Sequence, residues 1–131
     1  MWRWTVVGIG LLVALGGCGE PETVEVVTAA AETSAMTDCG TEVLDQSARI
    51  SDQGADCFLG AVTAGDPATL EVTYPTVEGD PITQVFRNLG SGEIQVETDS
   101  TKDRFGSGEV ETQVCTGPSR SSFALTFDEC H

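Results

Sequence analysis

Four cysteines spread through the last ninety or so residues, Cys39, Cys57, Cys115 and Cys130, constrain this chain more than any other feature. That length suits one small domain, whose hydrophobic core is marginal on its own. Four cysteines in such a domain bind metal, carry redox chemistry or close loops. No two stand in the CxxC spacing of zinc sites and thioredoxin-like motifs, so the first two readings are weak. As disulfides, each typically contributes about 2 to 4 kcal/mol by restricting the unfolded chain. That requires folding outside the reducing cytosol. A fifth cysteine, Cys18, makes the count odd, so its role decides whether the other four pair.

Cys18 lies in LGGCGE, at the end of an apolar run. Ahead of it the chain reads MWRW, with one positive charge at Arg3, and then TVVGIGLLVAL from Thr5 to Leu15 without a charge. Eleven such residues are too few to cross a bilayer, which takes about 20. They have the length of a signal-peptide core, and small residues follow as at a cleavage site. Leu15, Gly16, Gly17 and Cys18 resemble the lipobox of bacterial lipoproteins. The resemblance covers the first eighteen residues. It implies that residues 1–17 are removed, that the Cys18 thiol carries diacylglycerol, and that the mature chain is anchored at the extracytoplasmic face of the cell membrane. The alternative is an ordinary secretory signal with a coincidental cysteine. With Cys18 set aside, an even set of four remains, which reads as two disulfides with three possible connectivities.

Charge narrows the partners. Loss of Arg3 leaves five basic residues against 21 acidic ones, a net −16 for the mature chain. Such a surface repels nucleic acid and anionic lipid headgroups and favours cationic ligands or basic envelope proteins. Solubility alone is also a sufficient reason for it. From Gly19 to Asp38 the sequence is acidic, small and nearly free of large apolar residues, so it cannot bury enough surface to fold. Residues 18–38 therefore read as a lipidated cysteine and a tether, with TVEVV inside it the one stretch of strand character, and 39–131 as the domain.

Within the domain one helix is legible. In SDQGADCFLGAVTAGDP, Ala55, Phe58, Leu59 and Val62 fall on one face of a 3.6-residue period. Ser51 or Asp52 caps its start, and Gly65 with Pro67 stops it. Cys57 lies beside the apolar face. The period then changes to two. Leu70, Val72 and Tyr74 alternate with polar residues, as do Ile94 and Val96, Val110 and Val114, and Phe123, Leu125 and Phe127; PITQVFRNL is a less regular strand with Ile82 and Phe86 on one face. Turn signals separate these runs at EGDP, NLGSGE and GSG. The expectation is an α+β domain: one helix packed on a mostly antiparallel sheet of about five strands, with two disulfides. Alternation places Cys115 with Glu111 and Gln113, and Cys130 with Ala124, Thr126 and Asp128, both on the side away from the core. The preferred pairing is Cys39 with Cys57 and Cys115 with Cys130.

The pieces DCFLGAV, PTVEGDPI, TDSTKDRFG and CTG resemble a family of small secreted or lipid-anchored actinobacterial proteins of unknown function. The resemblance implies a similar disulfide-bonded domain in a lipoprotein context and transfers no catalytic residues.

Chemistry-bearing constellations are sparse. The single histidine is His131, and a Ser or Cys nucleophile needs a base oriented by a third group. Carboxylates are plentiful, but exposed strand faces account for Glu93, Glu97, Glu109 and Glu111. No nucleotide-binding glycine motif or basic aromatic patch occurs. In TDSTKDRFGSGE, Asp99, Asp103 and Glu109 offer oxygen ligands to a cation such as calcium. However, the order is not that of an EF-hand, and Lys102 and Arg104 put positive charge inside the cage. A polar hairpin connection whose opposite charges pair is preferred, with Phe105 as an exposed aromatic on it. The sequence therefore points to a binding or accessory module of the cell envelope with no catalytic residues, cofactor or resident metal. A small cell-wall hydrolase using paired carboxylates is the alternative, and it would need a carboxyl of raised pKa in a cleft.

Overall fold

The computed structural model describes residues 35–121 and 124–131. The signal segment 1–17, the motif at Leu15 to Cys18, the TVEVV stretch, all of the tether before residue 35, and Phe123 lie outside the described residues.

The single helix among the described residues, α1 (Asp52–Ala64), begins and ends where its capping chemistry dictates. Ser51 is extended (φ −64°, ψ 151°), and its hydroxyl accepts from the Gly54 N–H at 3.0 Å. This satisfies a donor that the first turn leaves without a helical partner. Gly65 closes the helix at φ 77°, a left-handed conformation that glycine adopts without a Cβ clash. Ala55 and Phe58 are fully buried, with Leu59 and Val62 packed against the same core, so the apolar stripe read in the sequence faces inward.

The helix lies on a six-stranded sheet of order β1 (Thr37–Val43), β2 (Ala68–Pro75), β3 (Pro81–Asn88), β4 (Ile94–Asp99), β5 (Val110–Thr116) and β8 (Glu129–Cys130). Strand β1 runs parallel to β2, as a strand–helix–strand crossover requires; every later pairing is antiparallel. A two-stranded ribbon of β6 (Ser119–Arg120) and β7 (Leu125–Thr126) forms a separate small sheet. The α+β class is as expected. Strand β1 departs from expectation: TDCGTEV has no clean alternation, and its first two residues, Thr37 and Asp38, belong to the strand and not to the tether that the sequence suggests. Its pairing shifts register between Asp38 and Thr41, around Gly40 at φ 104°. That irregularity hides a strand from a period-two reading.

Leu70, Val72, Phe86, Ile94 and Val96 form the sheet's contribution to the core, together with Ala68. Phe58 from the helix and Phe127 from the C-terminal segment flank Phe86, with ring centroids 6.1 and 6.0 Å apart. Leu125 is buried as well. The layer over the sheet is thus shared between α1 and the C-terminal segment. Arg120 joins the two, reaching the carboxylates of Asp52 and Asp56 on the helix.

Both disulfides form in the preferred pairing, Cys39–Cys57 and Cys115–Cys130, with Cα separations of 5.6 and 4.1 Å. The first fastens β1 to the helix, and the second fastens β5 to β8. The face assigned to Cys115 needs correction. Cys115 pairs with Ile94 across the β4–β5 ladder and is buried in the core. The Val110 and Val114 parity instead falls on the opposite face, where Val110 is 54% exposed. Neither Glu111 nor Gln113 is buried, although both share the Cys115 parity, because the covering layer ends short of that part of β5.

Candidate functional site

One end of the sheet gathers the described features with binding character. Parallel β1 and β2 both finish there, at Val43 and Pro75, one strand length from Thr37, where the described chain enters β1. Beyond Val43 the chain leaves as Leu44 to Ile50, and a groove of about 270 Å³ opens between this loop, the sheet and the C-terminal segment. Leu44, Ala48, Pro75 and Ala124 supply apolar wall. Asp45, Gln46, Tyr74 and Gln84 supply the polar groups.

Each wall is held by identifiable bonds. Leu44 donates its backbone N–H to the Thr73 carbonyl at 2.8 Å, continuing the β1–β2 alignment into the loop. Gln46 donates from its amide nitrogen to the carbonyls of Thr76 and Val77, at 3.2 and 3.0 Å, tying the loop to the β2–β3 turn. Two carbonyl acceptors fix that amide's orientation and leave its own oxygen outside both bonds. Gln84 donates to the Thr98 hydroxyl at 3.3 Å. Tyr74 is half-buried, and burial raises its phenol above the ordinary value, so it stays protonated at neutral pH. The loop is anchored at its far side by Glu42, whose carboxylate accepts from the Ser51 N–H at 2.8 Å and the Ser51 hydroxyl at 2.6 Å. This carboxylate sits against Gly54, so a side chain there would displace the Glu42 carboxylate from its bonds to Ser51.

The candidate cation residues are placed differently. Asp99 accepts from the backbone N–H and hydroxyl of Thr101 at 2.9 and 2.6 Å. These bonds, the hydroxyl first, hold its carboxyl below the ordinary value. Asp103 accepts from the Phe105 N–H at 3.0 Å. Glu109 is exposed, and its backbone closes the loop by bonding Ser100. Among the described residues no group of three His, Cys, Asp or Glu side chains is placed to hold a metal ion, so these three are not brought into a cage.

The EGDP turn is more than a connection. Asp80 is buried, and the Arg104 guanidinium and backbone N–H both donate to its carboxylate at 3.1 to 3.2 Å. Arg104, through these hydrogen bonds, holds the Asp80 carboxyl below the usual carboxylate range. The Arg104 charge of the β4–β5 loop therefore pairs chiefly with the neighbouring β2–β3 turn, with Asp103 of its own loop a smaller influence. Phe105 is left 74% exposed beside Arg104, as the sequence suggested for an aromatic in a polar loop.

Catalytic geometry is thin where it is described. His131 is exposed, and its backbone exchanges hydrogen bonds with Val114, which pins the residue despite its position at the end of the sequence. Asp80 and Asp99 are shifted in the direction opposite to a raised general acid. Cys18 lies outside the described residues, and none of the described helices is long and apolar enough to cross a membrane.

No family model, curated protein or solved structure matches this chain.

The site therefore rests on its own geometry. Sequence reasoning singled out neither the groove nor its residues except Tyr74, which it read as an inward strand position. The signal that pointed elsewhere was acidity: carboxylates in TDSTKDRFGSGE drew attention to a loop whose polar atoms serve its own turns. The groove arises from loop 44–50 and the C-terminal segment meeting over β2 and β3, a contact between residues some eighty positions apart that no local pattern encodes.

Proposed function

We propose that this chain is a lipid-anchored extracytoplasmic protein of the cell membrane, held by Cys18, whose disulfide-bonded domain acts as a binding or accessory module of the envelope. The observation that carries the binding role is the groove at the β2 end of the sheet. It combines apolar wall with hydrogen-bonding groups held in place by their own partners, the composition of a small-ligand or side-chain site. Its described lining holds Asp45, Gln46, Gln84 and Tyr74, with one carboxylate among them.

The described chain enters β1 at Thr37, and the groove opens at the far end of that strand.

The test is the intact mass of the protein isolated from host membranes, followed by crosslinking in cells from a photoreactive residue placed at Ala48. The expected result is a chain beginning at Cys18 with added diacylglycerol, and a discrete envelope adduct at Ala48 that a probe at Glu71 on the open sheet face does not give. A soluble chain without lipid would overturn the anchor. The same adducts from both probe positions would overturn the groove as the binding site.

A further inference from the structure

We infer that the groove takes the guanidinium of an arginine on a basic segment of a partner protein, an assignment that rests on the binding role proposed for this groove. Three observations converge on it. The first is the balance of donors and acceptors. Gln46 spends both amide N–H groups on the Thr76 and Val77 carbonyls, and Gln84 directs one of its two to the Thr98 hydroxyl. What is left is weighted toward acceptors: the Gln46 and Gln84 carbonyl oxygens and the Asp45 carboxylate, with one Gln84 N–H and the Tyr74 hydroxyl as donors. A lining with more acceptors than donors favours a ligand rich in donors, and the Asp45 carboxylate disfavours an anionic one, with Arg49 of the same loop the nearest cation in sequence.

The second is size. At about 270 Å³ the groove falls just below the range of about 300 to 1,000 Å³ typical of sites for drug-sized ligands. One long side chain is a suitable occupant, its stem lying along Leu44, Ala48, Pro75 and Ala124. Arginine is preferred over lysine because its five donors in a planar fork reach several acceptors at once and stack on an aromatic ring such as Tyr74.

The third is the field around the groove. The chain carries 21 acidic against six basic residues. Arg104 is engaged by Asp80, and Arg120 by Asp52 and Asp56. An approaching basic segment thus meets uncompensated negative charge, which accelerates encounter at low ionic strength.

The test uses the full chain, 15N-labelled in detergent micelles and titrated with acetyl-Gly-Arg-Gly-amide. The controls are the same peptide with citrulline, which keeps the shape without the charge, and agmatine, the free small-molecule source of a guanidinium. The expected result is saturable shifts confined to the amides of Leu44 to Ala48, Tyr74, Gln84 and Ala124, at least about fivefold weaker for citrulline, with the peptide binding more tightly than agmatine. Asp45→Asn, at an exposed loop position, weakens the arginine peptide roughly two- to fivefold. Gln84→Glu strengthens it, because the Thr98 hydroxyl, which accepts from the Gln84 amide, can turn to donate to the new carboxylate, and the carboxylate adds charge to the groove. Equal binding of arginine and citrulline peptides, shifts spread over Glu71 and Glu97 on the open face, or tightening absent from Gln84→Glu would overturn the assignment. Tighter binding of agmatine would overturn the protein source. Any of these leaves intact the crosslinking result at Ala48, which reports separately on whether the groove binds at all.

Discussion

Removing the two disulfides separately should cost unequal amounts of stability, for reasons visible in the fold. The bridges close loops of similar length, with sequence separations of 18 for Cys39–Cys57 and 15 for Cys115–Cys130. Restriction of the unfolded chain is then worth about 3 kcal/mol for each, and loop length alone would favour the first only slightly. Burial separates them. Cys115 is 1% exposed within the core, whereas Cys39 and Cys57 are only partly buried. Alanine at Cys115 therefore removes a core sulfur as well as a crosslink, at a cost of roughly 1 kcal/mol more. The Cys39→Ala/Cys57→Ala variant should lose about 3 kcal/mol and the Cys115→Ala/Cys130→Ala variant about 4 kcal/mol, large fractions of the 5 to 15 kcal/mol typical of a domain. Urea unfolding followed by circular dichroism measures both, with the m-value expected to rise as the unfolded chain is released. If the first variant proves the less stable of the two by more than about 1 kcal/mol, the burial argument fails. A loss below about 1 kcal/mol in both would mean that the loops are not what stabilises this domain.

Other perturbations probe single contacts. Asn88 is fully buried, donating to the Asp66 carbonyl at 2.7 Å and accepting from the Gly90 N–H at 3.1 Å; Asn88→Leu strands both backbone groups and should cost about 2 to 5 kcal/mol in chemical denaturation, with a loss under about 1 kcal/mol showing that water replaces the bonds. Asp80 has its carboxyl lowered by Arg104, so the stability it contributes is present above the ordinary carboxylate pKa of about 3.9 and is lost as pH falls through the lowered folded value. Asp80→Asn should therefore melt below the parent at pH 7, with the gap closing under about pH 3; a gap independent of pH would assign the effect to packing. Millimolar calcium should move Tm by less than about 1 °C, because Asp99 and Asp103 already serve Thr101 and Phe105, and a rise of several degrees would reinstate a cation site.

The elements that were legible in the sequence share a physical property: their signal is local. The helix could be read because Ser51, the Ala55–Phe58–Leu59–Val62 stripe and Gly65 all lie within four turns, and its caps fell as expected. Strands β2, β3 and β4 could be read because they sit centrally and the layer above them buries one face, so alternation survives. At the sheet's margins the same rule failed. β1 is an edge strand whose irregular pairing breaks the period, and β5 lies where the covering layer runs out. There Val114 faces solvent-side neighbours while Cys115 turns inward against Ile94. Apolar identity cannot report a face when what covers that face is decided elsewhere in the chain.

Composition, the even set of four domain cysteines and the change of hydrophobic period from 3.6 to two by themselves determined an α+β class, one capped helix and most of the core. Only the tertiary structure decided that β1 adds in parallel, which face β5 turns inward, that Arg104 spends its charge on Asp80, and that loop 44–50 and the C-terminal segment leave a groove over Tyr74 and Gln84. Each of these depends on contacts between segments far apart in sequence, where side-chain periodicity carries no information and the energy of bringing two surfaces together chooses the outcome.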